Sequence, residues 1–173
     1  MHVKGMELLG YEPRSLKTMA LGLARAAAAP ATIAEAPTKF SRDVDRLTAD
    51  AGRRARAAAS ENYAAVLDSL IMGKFVQRRF IHFNPRGARL LTLVTGCDVD
   101  SDELRHVGAR ITNLKKLYNE REGRMRADDT LPSRILVDPL PDGQAAGVGL
   151  TQTDLDTMID AYYWGAAGQS TAA

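Results

Sequence analysis

Gly108–Pro132, GARITNLKKLYNEREGRMRADDTLP, runs a charged helix into an Arg-rich turn and then an Asp-Asp-Thr-Leu-Pro stop. Extended back to Ser101, it predicts the longest helix of the chain. Leu104, Val107, Ile111, Leu114 and Tyr118 recur at steps of three and four, the spacing that lines one face of an α-helix. Arg105, Arg110, Lys115, Lys116 and Glu120 fall mostly off that face. On this reading, truncating Leu114 to alanine removes about 2–5 kcal/mol of stability. Gly123 is placed to cap the helix end, because glycine enters left-handed backbone without steric penalty. Beyond it, Arg124 and Arg126 are expected to clamp Asp128 and Asp129 across the turn.

Working outward, helical signals dominate. Pro13 opens a predicted helix from Arg14 to about Ala29, which Pro30 stops. Residues 31–40 read as a loop, and Ser41 caps a weak helix over 42–51. The Ala/Arg-rich stretch 53–59 is helical or mobile. Tyr63, Val66, Leu67, Leu70, Ile71 and Phe75 define a firmer helix, with Asp68 beside its apolar face. Asn84-Pro85 caps a short helix, Arg86 to Val94, that Gly96 ends. Thr151 and Asp154 resemble a capping box before the last amphipathic helix, marked by Leu155, Met158, Ile159, Tyr162 and Tyr163. Strand signals are sparse, and Arg134–Val137 is the best of them. The fold class is therefore mainly α, an irregular helical bundle. Residues 1–164 form the expected domain, as one unit or as two lobes at 1–83 and 84–164, and 165–173 form an expected disordered tail.

Composition narrows the function classes. The chain has 173 residues, enough for one core, with 45% hydrophobic and 25% charged residues, as in ordinary globular domains. No apolar run reaches the length of a membrane span. The first residues lack the apolar core of a signal peptide, so the expected location is the cytoplasm. A single cysteine, Cys97, excludes an internal disulfide and an all-cysteine metal site. A net charge of +2 makes no general demand for a polyanion. Basic clusters occur at Arg53-Arg54-Arg56, Arg78-Arg79 and Arg121-Arg124-Arg126, yet aromatics are only 6% and acids intersperse the last cluster. Solvated or ion-paired roles are favoured there over nucleic-acid binding.

Five segments, in order, carry a resemblance. They are HVKGMELLGYEPRSLKTMALGLA from His2, AVLDSLIMGKF over Ala65–Phe75, VTGCD over Val94–Asp98, DPLPDG over Asp138–Gly143 and MIDAYY over Met158–Tyr163. Together they resemble the C-terminal region of the tungsten-dependent aldehyde:ferredoxin oxidoreductases, from His2 to about Trp164. The resemblance implies the helical C-terminal domains of that family. The full enzymes oxidise aldehydes to carboxylates, using a tungstopterin and a four-iron–four-sulfur cluster. Their N-terminal domain supplies much of the pterin cradle.

The resemblance also assigns positions. The family's D-x-x-G-L-C falls on Asp68, Ser69, Leu70, Ile71, Met72 and Gly73. It implies Asp68 as a pterin-binding carboxylate, while the cluster's cysteine is replaced by Gly73, which has no ligating atom. Ile71 stands in for a glycine and is expected to fill space needed for cofactor approach. A family Gly and His fall on Ala29 and Thr32, and a threonine cannot replace histidine in proton transfer near neutral pH. His2, His82, His106 and Cys97 lack metal-ligand spacing and are not read as ligands; His106, beside the core-facing Val107, is expected at a helix surface. No catalytic or metal residue is expected, and no cofactor for the chain alone. The implied role is a non-catalytic structural or subunit-interaction module, partnered by a separate cofactor-binding subunit or by its own copies. The alternative is a subunit of a split tungstopterin and iron–sulfur oxidoreductase.

Overall fold

The computed structural model describes residues 2–7, 12–25, 52–72 and 83–170. A small antiparallel hairpin opens the chain, β1 (His2–Val3) with β2 (Met6–Glu7), paired His2 to Glu7 and Val3 to Met6. Its two-residue turn holds Lys4 at φ 51° and Gly5 at φ 79°, the positive pair that a tight hairpin turn demands. A 3-10 turn at Pro13–Ser15 leads into α1 (Lys17–Arg25), and then come α2 (Gly52–Ser69), α3 (Phe83–Thr95) and α4 (Ser101–Arg121). A second 3-10 turn, Arg126–Asp128, precedes α5 (Ser133–Val137) and α6 (Gln152–Ser170). The architecture is the mainly α, irregular bundle expected. No helix among the described residues is long and apolar enough to cross a membrane.

Local chemistry sets the boundaries. Asp100 caps α4 by accepting from the backbone N–H groups of Asp102 and Glu103, both at 2.8 Å. The Thr151–Asp154 capping box forms as expected. Asp154 N–H donates to Thr151 Oγ1, and Thr151 N–H donates to Asp154 Oδ2, each at 3.1 Å. Gly96 and Gly123 take φ 76° and 91°, where each ends a helix. The stretch 53–59 belongs to α2, continuous with the firmer segment after it.

Two apolar clusters hold the bundle. The larger joins Val3, Met19, Leu21 and Leu23 to Leu131, Ile135, Leu150 and the α6 residues Leu155, Met158 and Ile159. The smaller joins Val66 and Leu67 of α2 to Ala88 of α3 and Leu104 of α4. Each draws on both sides of residue 83, so packing is continuous across the expected lobe boundary. Along α4 the residues facing α2 are Leu104, Gly108 and Thr112. A Cβ on Gly108 would lie 2.9 Å from the carbonyl carbon of Asn62 and nearer still to its oxygen. Glycine therefore lets the two backbones touch there.

That closeness corrects the apolar stripe. Leu114 is 68% exposed and Tyr118 54%, because the buried line drifts to small residues that a hydrophobicity reading passes over. The predicted loss for Leu114→Ala falls accordingly, to the range of surface changes. Arg134–Val137 is helical, not extended. Helix α6 runs on through the expected tail to Ser170. The expected first helix is a 3-10 turn and then α1, as far as Arg25. The expected loop at 31–40, the weak helix at 42–51, Ala29, Thr32, Gly73, Phe75, Arg78, Arg79 and His82 lie outside the described residues.

Candidate functional site

Asp68 and Ile71 sit at the end of α2, and the backbone there explains the motif. Met72 N–H donates to Leu67 O at 2.9 Å and Ile71 N–H to Asp68 O at 3.2 Å. This is the paired closure that ends a helix through one left-handed residue. Ile71 is that residue, at φ 56°, and its side chain is 92% exposed. The family's glycine thus falls on a position that favours glycine for conformational reasons. Ile71, expected to crowd a cofactor's approach, points to solvent at the helix end. Leu67 and Met72 pack together on the smaller cluster, completing the cap. Asp68 is exposed on the last turn.

Among the described residues, polar groups from several elements converge elsewhere, at two buried nodes. The first is Asp129, 1% exposed. Lys4 of the hairpin turn donates to it at 2.6 Å and Lys116 of α4 at 3.1 Å, and Tyr163 of α6 donates its hydroxyl. Burial pushes the Asp129 carboxyl up, but the hydrogen bonds from Lys4 and Tyr163 and the charges of Lys4 and Lys116 outweigh it. The net effect holds Asp129 below the usual carboxylate range. Lys4 is itself pulled below the ordinary lysine value, since burial outweighs its bond to Asp129. The second node joins Arg25 of α1 to Glu61 of α2, which also accepts from Tyr162 Oη of α6 at 2.9 Å. The Arg25 guanidinium lies 3.4 Å from the Tyr162 ring centroid, a cation–π contact inside the core. Burial, then the Glu61 charge, raise the Tyr162 hydroxyl far above its ordinary value.

These nodes replace the clamp read from the sequence. Arg126 reaches α6 instead, pairing with Asp156 at 3.1 Å and Asp160 at 2.8 Å. Asp128 Oδ2 accepts from Met125 N–H at 2.7 Å. Glu12 binds the Arg14 guanidinium, which also donates to the carbonyl of Asp138 at 2.8 Å. Segments HVKG and EPR therefore interlock with Asp129 and with DPLPDG, and MIDAYY supplies both tyrosines. Neither node was legible beforehand, because lysines and glutamates at such separations give no local pattern. The only available signal was that the segments recur together.

The described residues do not fit a metal or cluster. No group of three His, Cys, Asp or Glu side chains converges among them. Cys97 is exposed on the segment after α3, and His2 and His106 are exposed on separate elements. Of the basic clusters, Arg121 pairs with Glu122 at 3.2 Å and Arg126 with the α6 acids.

Comparison with known proteins agrees with this frame. The tungsten-containing aldehyde ferredoxin oxidoreductase of Pyrococcus furiosus is 36% identical over 75 residues, 43% of this chain and 12% of that protein. Those of Thermococcus kodakarensis and Pyrococcus horikoshii are each 33% identical over 75 residues, with the same 43% and 12% coverage. The match thus spans about an eighth of each relative's length. The family described as aldehyde ferredoxin oxidoreductase, domains 2 & 3, matches residues 1–167. With most of the chain matched and its recurrent segments forming the interlocks of the bundle, this protein belongs to the aldehyde ferredoxin oxidoreductase family.

Proposed function

We propose that the chain acts as a non-catalytic structural or subunit-interaction module of an aldehyde ferredoxin oxidoreductase-like system. The observation that carries this is the end of α2. Where the family pattern has glycine and then a cluster cysteine, this chain has Ile71, strained and solvent-facing, and Gly73, which offers no thiolate. A [4Fe–4S] cluster takes four cysteine thiolates, and the single cysteine of this sequence, Cys97, is exposed on a separate segment after α3. The residues that hold the frame, Lys4, Glu12, Arg14, Asp129, Tyr162 and Tyr163, are all engaged in contacts. A scaffold selected for shape rather than chemistry has this distribution.

The partner on this reading is a separate cofactor-binding subunit or a second copy of the chain, in the cytoplasm. Elemental analysis of the purified protein for tungsten, molybdenum and iron tests the proposal. The expected result is trace metal only. Stoichiometric tungsten with iron would overturn it and favour the split oxidoreductase, in which Asp68, exposed on the last turn of α2, would accept hydrogen bonds from the pterin.

A further inference from the structure

A cleft of about 500 Å³ lies between the N-terminal hairpin and the segment following α4. His2 and Lys4 line one wall, and Arg124, Asp128 and Thr130 line the other. The two walls come from opposite parts of the sequence, and the Lys4–Asp129 bond brings them together. The polar groups here are unevenly used. Asp128 is engaged by the Met125 backbone. Asp129, beneath Lys4, is shared between Lys4 and Lys116. Lys4 carries three donor protons, and one described bond, to Asp129, uses one of them. Arg124 is half-buried, and its guanidinium makes no ion pair or hydrogen bond among the described residues. Lys4, Lys116 and Arg124 thus stand against two carboxylates, with Arg124 close enough to Lys4 to oppose its charge.

We propose that this cleft binds a small oxyanion, a phosphate or a carboxylate, held between Lys4 and Arg124. The planar guanidinium suits two oxygens of such a group, and the ammonium supplies a point charge opposite. A bound anion also removes the repulsion between the two cations. The Thr130 hydroxyl on the same wall is turned to Gln152 Oε1 at 3.4 Å and Leu131 O at 3.5 Å, so the two cations alone carry the contact. Nothing in this assignment depends on tungsten, the cluster or the pathway of aldehyde oxidation. It gives a non-catalytic module a ligand of its own.

Isothermal titration of the full chain with inorganic phosphate, and separately with acetate, tests this, with chloride holding ionic strength constant. Saturable one-site binding of either anion is expected, and which one binds names the class. Arg124→Gln is expected to weaken it by about tenfold or more, the loss of one charge-assisted contact. Arg121→Gln, at the same helix end but outside the cleft, is expected to bind as the parent does. Because the Arg124 guanidinium makes no bond among the described residues, its variant should melt with the parent by circular dichroism. Absence of saturable heat from both anions would overturn the site. Equal weakening in the two arginine variants would do the same, by reducing the effect to general surface charge.

Discussion

Helices α2 and α4 lie against each other and end in the same way. At α4, Gly123 N–H donates to Glu120 O and Arg124 N–H to Asn119 O, each at 3.0 Å. At α2, Ile71 and Met72 make the equivalent bonds to Asp68 and Leu67. One hinge residue is glycine at φ 91°, the other isoleucine at φ 56°. The hydrogen-bond pattern is common to both, so the side chain is what differs. At α4 the residue and the backbone agree, and a buried carboxylate fixes the segment beyond. At α2 the fold imposes a left-handed conformation on a β-branched residue that resists it. The agreement lies at the end that the Asp129 node holds, and the disagreement at the solvent-facing end of α2.

The largest test strikes the anchored end. Asp129→Asn leaves Lys4 and Lys116 without their shared charge and is expected to lose about 3–5 kcal/mol in denaturant unfolding. The same node sets an acid limit. A carboxyl whose value is depressed in the folded state contributes stability above its unfolded value, and loses it as pH falls through the folded one. The parent should therefore lose stability below the ordinary carboxylate range, and Asp129→Asn should lose less over that interval. A loss under about 1 kcal/mol for the variant at neutral pH would show that the two helix ends are held alike.

Exchanging the hinge residues comes next. Gly123→Ile should destabilise by about 1–2 kcal/mol, the penalty for left-handed backbone in a residue with a side chain. Ile71→Gly should stabilise, by a smaller amount of about 0.5–1 kcal/mol, because glycine's greater freedom in the unfolded chain offsets part of the relief. If thermal melts show Ile71→Gly lowering stability, the exposed side chain has a stabilising contact and the comparison fails. Smallest is Leu114→Ala, expected to change unfolding free energy by less than about 0.5 kcal/mol. A larger loss would put Leu114 back in the core.

The helices and their ends were legible because their signals are local. Thr151 with Asp154, Gly96 and Gly123 act within a few residues, and the Leu155–Tyr163 pattern repeats over two turns. The buried face of α4 was misread because contact with α2 depends on the absence of a side chain at Gly108. Hydrophobic periodicity weights Leu114 and ignores glycine. Arg134–Val137 carries β-branched residues but is too short for propensity to decide, and burial of Ile135 in the main cluster settles it as helix. The substitution at Gly73 could be read directly, since an absent thiolate needs no coordinates. The left-handed backbone at Ile71 could not, because nothing in a β-branched residue signals a positive φ until the backbone is seen. The Asp129 and Glu61 nodes join residues from distant helices, and no window along the chain contains them.

The bond from Lys4 to Asp129 spans 125 residues, and this orders assembly in time. A contact of that separation closes a long loop, which is slow to form and is rewarded only when both ends are structured. During synthesis the hairpin emerges before α4 and the turn after it, so its anchor does not yet exist. Two strands of two residues are too small to persist alone in water. The hairpin is therefore among the last elements to take its place, and the cleft it lines is completed only with that closing step.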